Sequence, residues 1–183
     1  MAFIILDRDG VINHDPTGYI KSPEEWHPIA GSLEAIAALN RAGFQVLVAS
    51  NQSGVGRGFY DLAALEVVHD KLRSMLAAVG GHITEIFICP HHPDEGCACR
   101  KPEPGMLFAM QKKYGLPFAE TYFIGDSIGD MRAAQGVGCH PVLVLTGNGK
   151  LTLAKHPDLA AIPCFPDLAT AAEAICHGKM PPK

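Results

Sequence analysis

The sequence predicts an α/β fold of the Rossmann-like kind, a mainly parallel sheet with helices on both faces, in a single domain over residues 1–183. Three observations predict it. Apolar runs of strand length alternate with segments of helical period, the pattern of a parallel sheet covered on both sides. Polar segments follow the C-terminal ends of several of those runs, where open α/β sheets bind ligands. The length of 183 residues suits one core, with no repeat, low-complexity tract or linker to divide it.

The elements follow in order. The run at 3–6 is the first strand, ending in "LDRDG". Ser32 is the expected cap of a first helix that Gly43 closes. The second strand spans 45–50 and runs into "SNQSGVGRG". Asp61 then caps a long helix closed by Gly80. A strand at 85–89 leads into the cysteine-rich loop, and Pro104 suits the first turn of a helix that Gly115 and Pro117 end. The fourth strand, 121–125, runs into "GDSIGD". Strands at 141–145 and, more weakly, 162–165 complete the sheet, and Asp167 caps a last helix closed by Gly178. Only about twenty residues, 11–31, separate the first polar loop from the first helix, too few for a separate cap domain. Short loops must therefore roof any site, with Tyr19 and Trp26 the aromatics available to cover it.

Composition narrows the function. Hydrophobic residues make up 48% of the chain, charged residues 19%, and the net charge is −4, which gives no nucleic-acid footprint. No apolar run approaches the roughly eighteen residues of a membrane span, and the N-terminus enters a strand at once. The chain reads as a cytoplasmic monomer with neither nucleic-acid nor membrane partners. An anionic substrate must then be held by local groups.

The stretch "LDRDG" raises a physical question. In an extended chain Asp7 and Asp9 point to the same side, and two such carboxylates repel unless a cation, a proton or hydrogen bonds offset them. Asp126, after the fourth strand, would complete an all-oxygen site suited to Mg²⁺. Ser50 and Asn51 add a hydroxyl and an amide, the glycine-rich turn behind them offers backbone N–H groups, and Lys101 adds a point positive charge. A carboxylate nucleophile, an acid/base carboxylate, magnesium, a hydroxyl and a lysine are the parts of phosphoryl transfer through an aspartyl phosphate.

Of the six cysteines, Cys89, Cys97 and Cys99 crowd into "CPHHPDEGCAC" with His91. Four soft or borderline ligands on one short loop, 89–99, describe a structural Zn²⁺ site with no open position. His92 is the alternative to His91. Cys139, Cys164 and Cys176 stand apart in apolar company and read as small core residues.

These motifs together resemble the haloacid dehalogenase (HAD) superfamily of phosphatases over nearly the whole chain. The resemblance implies Asp7 as nucleophile, Asp9 as acid/base, both with Asp126 at the Mg²⁺ ion, Ser50 and Lys101 as the second and third motifs, and Asp130 as a support. "SNQSGVGRG" with "CPHHPDEGCACRKPEPGM" is similar to the branch that contains heptose bisphosphate phosphatases, with histidinol-phosphate phosphatases as the close alternative. It implies a small phosphorylated sugar as substrate, held by Asp15, Gly18, Tyr19, Ser50, Asn51, Gln52, Ser53, Arg100 and Lys101. Arg57, after the glycine-rich turn, would receive a second phosphate. Some members of the branch carry Lys directly after the fourth-motif Asp, where this chain has Ser127. A non-catalytic alternative is a receiver-like phospho-acceptor domain, which would lack both the second carboxylate and the zinc loop.

Overall fold

The structure, a computed structural model, describes residues 2–15 and 19–180. Six parallel strands form one sheet in the order β3-β2-β1-β4-β5-β6. They are β1 (Ala2–Leu6), β2 (Phe44–Asn51), β3 (Glu85–Cys89), β4 (Tyr122–Gly125), β5 (His140–Val144) and β6 (Cys164–Phe165). The helices are α1 (Ser32–Arg41), α2 (Ser53–Gly56), α3 (Leu62–Ala78), α4 (Gly105–Tyr114), α5 (Ile128–Val137), α6 (Gly149–Lys155) and α7 (Leu168–Cys176).

The period of two in each strand distributes its side chains between two cores. Ile4, Leu6, Val46, Val48, Ile124 and Val142 face α1, α3 and α7. Phe3, Ile5, Leu47, Ala49 and Phe123 face α4 and α5. β1 is central because both neighbours need its backbone, with Leu6 opposite Val48 on one side and Ile124 on the other. Strand order reverses there, so the C-terminal ends of β1 and β4 flank the crevice where such sheets bind ligands. Among the described residues no helix is long and apolar enough to cross a membrane.

Two expectations are corrected. Ser32 is not the cap of α1: Gly31, with φ 80°, occupies that position, and the Ser32 hydroxyl donates to the Ile12 carbonyl at 2.6 Å. The segment between the first loop and α1 folds back, with Ile29 N–H bonded to the same carbonyl at 2.9 Å, so Ile12 meets the helix start. Trp26 does not cover the site. It is fully buried with Val11, Ile12 and Ile20 in the core beneath α1 and α3, and the Lys71 ammonium lies 6.0 Å from its ring. Asp61 and Asp167 do cap α3 and α7, through Ala64 N–H and Thr170 N–H.

Candidate active site

The loops after β1, β2 and β4 meet at a cavity of about 520 Å³, joined by the segment after the cysteine loop. Asp7 and Asp126 line the cavity and Asp130 is buried behind them, with oxygens of the three carboxylates within 4.8 Å of one another. Lys101 lies among them, its Nζ 2.9 Å from Asp7 Oδ1 and 2.6 Å from Asp130 Oδ1. It also donates to the Ala49 carbonyl at 2.6 Å, which ties it to β2. The Asn51 side chain brackets the Lys101 backbone, accepting from its N–H at 3.0 Å and donating to its carbonyl at 3.1 Å.

Electrostatics follow from this packing. Burial, then the Asp130 carboxylate, pushes Asp7 well above the usual carboxylate range, and Lys101 only partly opposes them. Burial and Asp130 likewise push Asp126 up to about 7, against the Asn148 N–H and Lys101. Burial would neutralise Lys101, but Asp130 and Asp7 outweigh it and raise its pKa. Three buried carboxylates against one ammonium leave negative charge that a hard cation would compensate, and an all-oxygen donor set suits Mg²⁺.

Asp126 is held from three directions. Asn148 N–H donates to its Oδ2 at 2.7 Å, and a Cβ on Gly10 or Gly147 would run into that same oxygen. The φ of 82° at Gly10 adds a second demand for glycine. Asp130, at the start of α5, forms a reciprocal cap with Ser127, whose hydroxyl donates to Asp130 Oδ2 at 2.6 Å. Ser127 thus has a local role at the position where Lys was expected in some relatives.

The Asp9 side chain is turned away from the carboxylate group that was expected to gather it with Asp7 around a metal. β1 ends at Leu6 and the chain turns, with Ile12 N–H returning to the Arg8 carbonyl at 2.9 Å, so the extended-chain argument fails after Asp7. The Asp9 carboxylate lies outside the three-carboxylate group and instead accepts from Arg8, from Asn13 Nδ2 at 2.8 Å and from Gln52 Nε2 at 2.8 Å. Burial opposes its ionisation, yet Arg8, Asn13 and Gln52 together hold its pKa below the ordinary value. The raised pKa expected of a general acid is therefore absent from the resting site.

The other expected residues divide. Asp15, Tyr19, Asn51, Gln52, Arg100 and Lys101 line the cavity. Among the described residues the buried Nη1 of Arg100 has no partner, which leaves a donor for a phosphate oxygen. Ser50 lies beneath the surface, its Oγ accepting from Gln52 Nε2 at 2.7 Å, and Ser53 is buried with its Oγ 3.5 Å from the Tyr19 hydroxyl. Gly18 lies outside the described residues. Arg57 is a correction: it is exposed at the end of α2 and does not line the cavity. The chain turns at Gly58, φ 72°, and brings Tyr60 inward in its place, where its hydroxyl donates to Gln52 Oε1 at 2.8 Å. Arg8, Tyr60 and Asn148 are lining residues that sequence reasoning missed. Arg8 had a signal, since a lone cation between two carboxylates is an evident counter-charge.

Beside the cavity, Cys89, His91, Cys97 and Cys99 form a second group that could hold a metal. Cys89 Sγ is 3.5 Å from both Cys97 Sγ and His91 Nδ1, and Cys99 Sγ is 3.2 Å from His91 Nδ1. These separations are slightly shorter than the roughly 3.5–3.8 Å edges of a tetrahedron with Zn–S and Zn–N bonds of ordinary length, so small shifts would admit the ion. His92 caps its own turn instead, its Nδ1 accepting from Asp94 N–H at 3.2 Å, and His91 is the histidine that stands with the three thiols.

The HAD-hydrolase-like family model matches residues 98–171. A D-glycero-beta-D-manno-heptose-1,7-bisphosphate 7-phosphatase from Pseudomonas aeruginosa is 53% identical over 95% of this chain and 97% of its own length. The chain belongs to that phosphatase family. A protein of the same name from Pseudomonas putida is also 53% identical, over 96% of this chain and 99% of its own. The crystal structure of the D,D-heptose 1,7-bisphosphate phosphatase from Bordetella bronchiseptica, complexed with magnesium and phosphate, superimposes with a TM-score of 0.94 at 47% identity. That match covers 97% of this chain and 99% of the other. The family's fold is therefore the one described above.

Proposed function

We propose that the protein is a magnesium-dependent phosphoric monoester hydrolase. It removes the C7 phosphate of D-glycero-β-D-manno-heptose 1,7-bisphosphate through an aspartyl phosphate on Asp7, in the heptose branch of lipopolysaccharide core biosynthesis. The observation that carries this reading is the convergence of Asp7, Asp126 and Lys101 on one cavity at the strand-order reversal, with Asp130 buried against them. The names of the relatives supply the substrate.

Asp7 and Asp126, with Asp130 behind them, would hold Mg²⁺, which supplies positive charge that keeps the carboxylates ionised and offsets charge on the transferring phosphoryl group. Asp7 then attacks phosphorus. Lys101, pinned to Ala49 and paired with Asp7 and Asp130, presents fixed positive charge to the phosphoryl oxygens, and Arg100 offers its free donor. Asp9 gives a proton to the departing C7 oxygen and takes one from the water that hydrolyses the aspartyl phosphate. It is anionic at rest, so it must first gain a proton, and an arriving phosphate dianion favours this by raising its pKa and competing for Arg8. Tyr19 and Tyr60 wall the sugar side. Cys89, His91, Cys97 and Cys99 hold a structural Zn²⁺ that positions the segment carrying Arg100 and Lys101. The enzyme works as a cytoplasmic monomer.

The test is hydrolysis of the heptose 1,7-bisphosphate followed by phosphorus NMR, with magnesium and with chelator. Magnesium-dependent loss of the C7 signal with the anomeric phosphate retained is the expected result. Faster hydrolysis of histidinol phosphate than of the bisphosphate would contradict the substrate assignment.

A further inference from the structure

Arg8 is 1% exposed, yet its guanidinium reaches both the cavity and α3. On one side Nε donates to Asp9 Oδ1 at 3.1 Å, and Nη2 reaches both Asp9 oxygens at 3.0 Å. On the other side Nη1 lies 3.1 Å from Nε2 of His69, which is itself 3% exposed. A guanidinium has no acceptor, so His69 Nε2 must accept, and its proton must sit on Nδ1. Nδ1 lies 3.4 Å from Glu66 Oε2, the group that takes that hydrogen. Burial, then the Arg8 charge, lowers the His69 pKa to about 4, in keeping with a neutral ring.

We propose that His69 is a positioning residue for Asp9, acting through the buried Arg8 guanidinium, with Glu66 fixing the tautomer that makes this possible. The chain Glu66–His69–Arg8–Asp9 runs from the surface of α3 to the cavity and gives the acid/base carboxylate a fixed orientation. Guanidinium groups bind carboxylates through a rigid fork, so the angle of the fork sets the angle of the carboxylate. His69 sets that angle from behind. Without it Arg8 would keep its charge but lose its hydrogen bond to α3, and could swing with Asp9 attached.

The inference rests on Asp9 being the acid/base of the proposed phosphatase, and it predicts a loss that depends on the leaving group. A sugar alkoxide must be protonated as it departs, whereas the phenolate of p-nitrophenyl phosphate leaves without help. The experiment is the rate of leaving-group release in the first turnover for both substrates, in wild type, His69→Leu, His69→Gln and Glu66→Ala. For His69→Leu the expected loss is about tenfold or more on the heptose bisphosphate and less than about threefold on the aryl phosphate, out of the 10²–10⁴-fold that a positioned acid contributes. KM for the bisphosphate should change less than the rate of leaving-group release, since Arg100 and Lys101 are untouched. His69→Gln, whose side-chain oxygen can accept from Arg8, should recover most of the loss. Glu66 is exposed, so Glu66→Ala keeps the fold and should show a smaller loss of the same pattern even if His69→Leu does not fold.

Equal losses on both substrates, or no recovery in His69→Gln, would overturn the positioning role and leave His69 as core packing. If wild type released no phosphate from either substrate with magnesium, the phosphatase reading would fall and this inference with it. A wild type active on both with an unchanged Glu66→Ala and His69→Leu would remove this inference alone.

Discussion

At the residue scale the site is a problem of excess negative charge, and Asp7 shows both sides of it. Its raised pKa means that in the metal-free protein the ionised form is disfavoured against the unfolded chain. Asp7→Asn should therefore raise the melting temperature without magnesium and abolish the further rise that magnesium gives wild type. Turnover should fall below about 1% of wild type, a barrier increase of roughly 3 kcal/mol or more, because an amide is no nucleophile toward phosphorus. Calorimetry and phosphate release check the two halves separately. His69 gives a second prediction. Its folded pKa of about 4 lies below the ordinary 6.5, so the unfolded chain takes the proton first. That contribution to stability is complete above about pH 6.5, declines as pH falls toward 4, and amounts to roughly 3 kcal/mol in all. Chemical denaturation of wild type and His69→Gln across that window should show the slope in wild type and its loss in the variant. The positions of Asp7 and Asp126 could be read from sequence because each directly follows a strand, and that of Lys101 because it lies between the cysteine loop and the start of α4. The orientation of Asp9 could not, because it depends on a turn after Leu6 and on Arg8, Asn13 and Gln52 from two loops.

At the element scale, the loop after β3 shows a grouping legible in sequence: Cys89, His91, Cys97 and Cys99 stand close along the chain and their side chains meet in the structure. Cys97→Ser should leave less than one equivalent of zinc after dialysis, weaken metal affinity by about tenfold or more, and lower activity by displacing Arg100 and Lys101. Metal analysis of the wild type showing no zinc in protein prepared without chelator would contradict the site. The element after β2 was misread. A glycine-rich turn with an arginine suggested a phosphate receptor, but α2 is a single short turn whose end projects Arg57 to solvent. Arg57→Ala should then leave kcat/KM within about twofold, since Arg57 is absent from the cavity lining and no transition-state contact is removed. A larger rise in KM for the bisphosphate than for a monophosphate would restore the first reading. Helix caps were legible where a side chain meets its own helix, as at Asp61 and Asp167. They were not where a distant carbonyl competes, as Ile12 does for Ser32.

At the scale of the whole molecule, the alternation of apolar runs and helical segments predicts every strand to within about two residues, because each supplies apolar side chains to the cores on the faces of the sheet. It does not give the order β3-β2-β1-β4-β5-β6, which depends on long-range pairing. That order makes the chemistry: it sets the ends of β1 and β4 side by side, so that Asp7 meets Asp126 and Asp130 with Lys101 between them. The central claim is that Asp7 in this cluster carries the phosphoryl group. The most direct test is to quench the enzyme with acid during turnover, reduce any acyl phosphate with borohydride, and locate the resulting homoserine by peptide mass. Magnesium-dependent homoserine is expected at position 7 in wild type, and none in Asp7→Asn. Homoserine at another aspartate, or wild-type labelling that persists in Asp7→Asn, would contradict it.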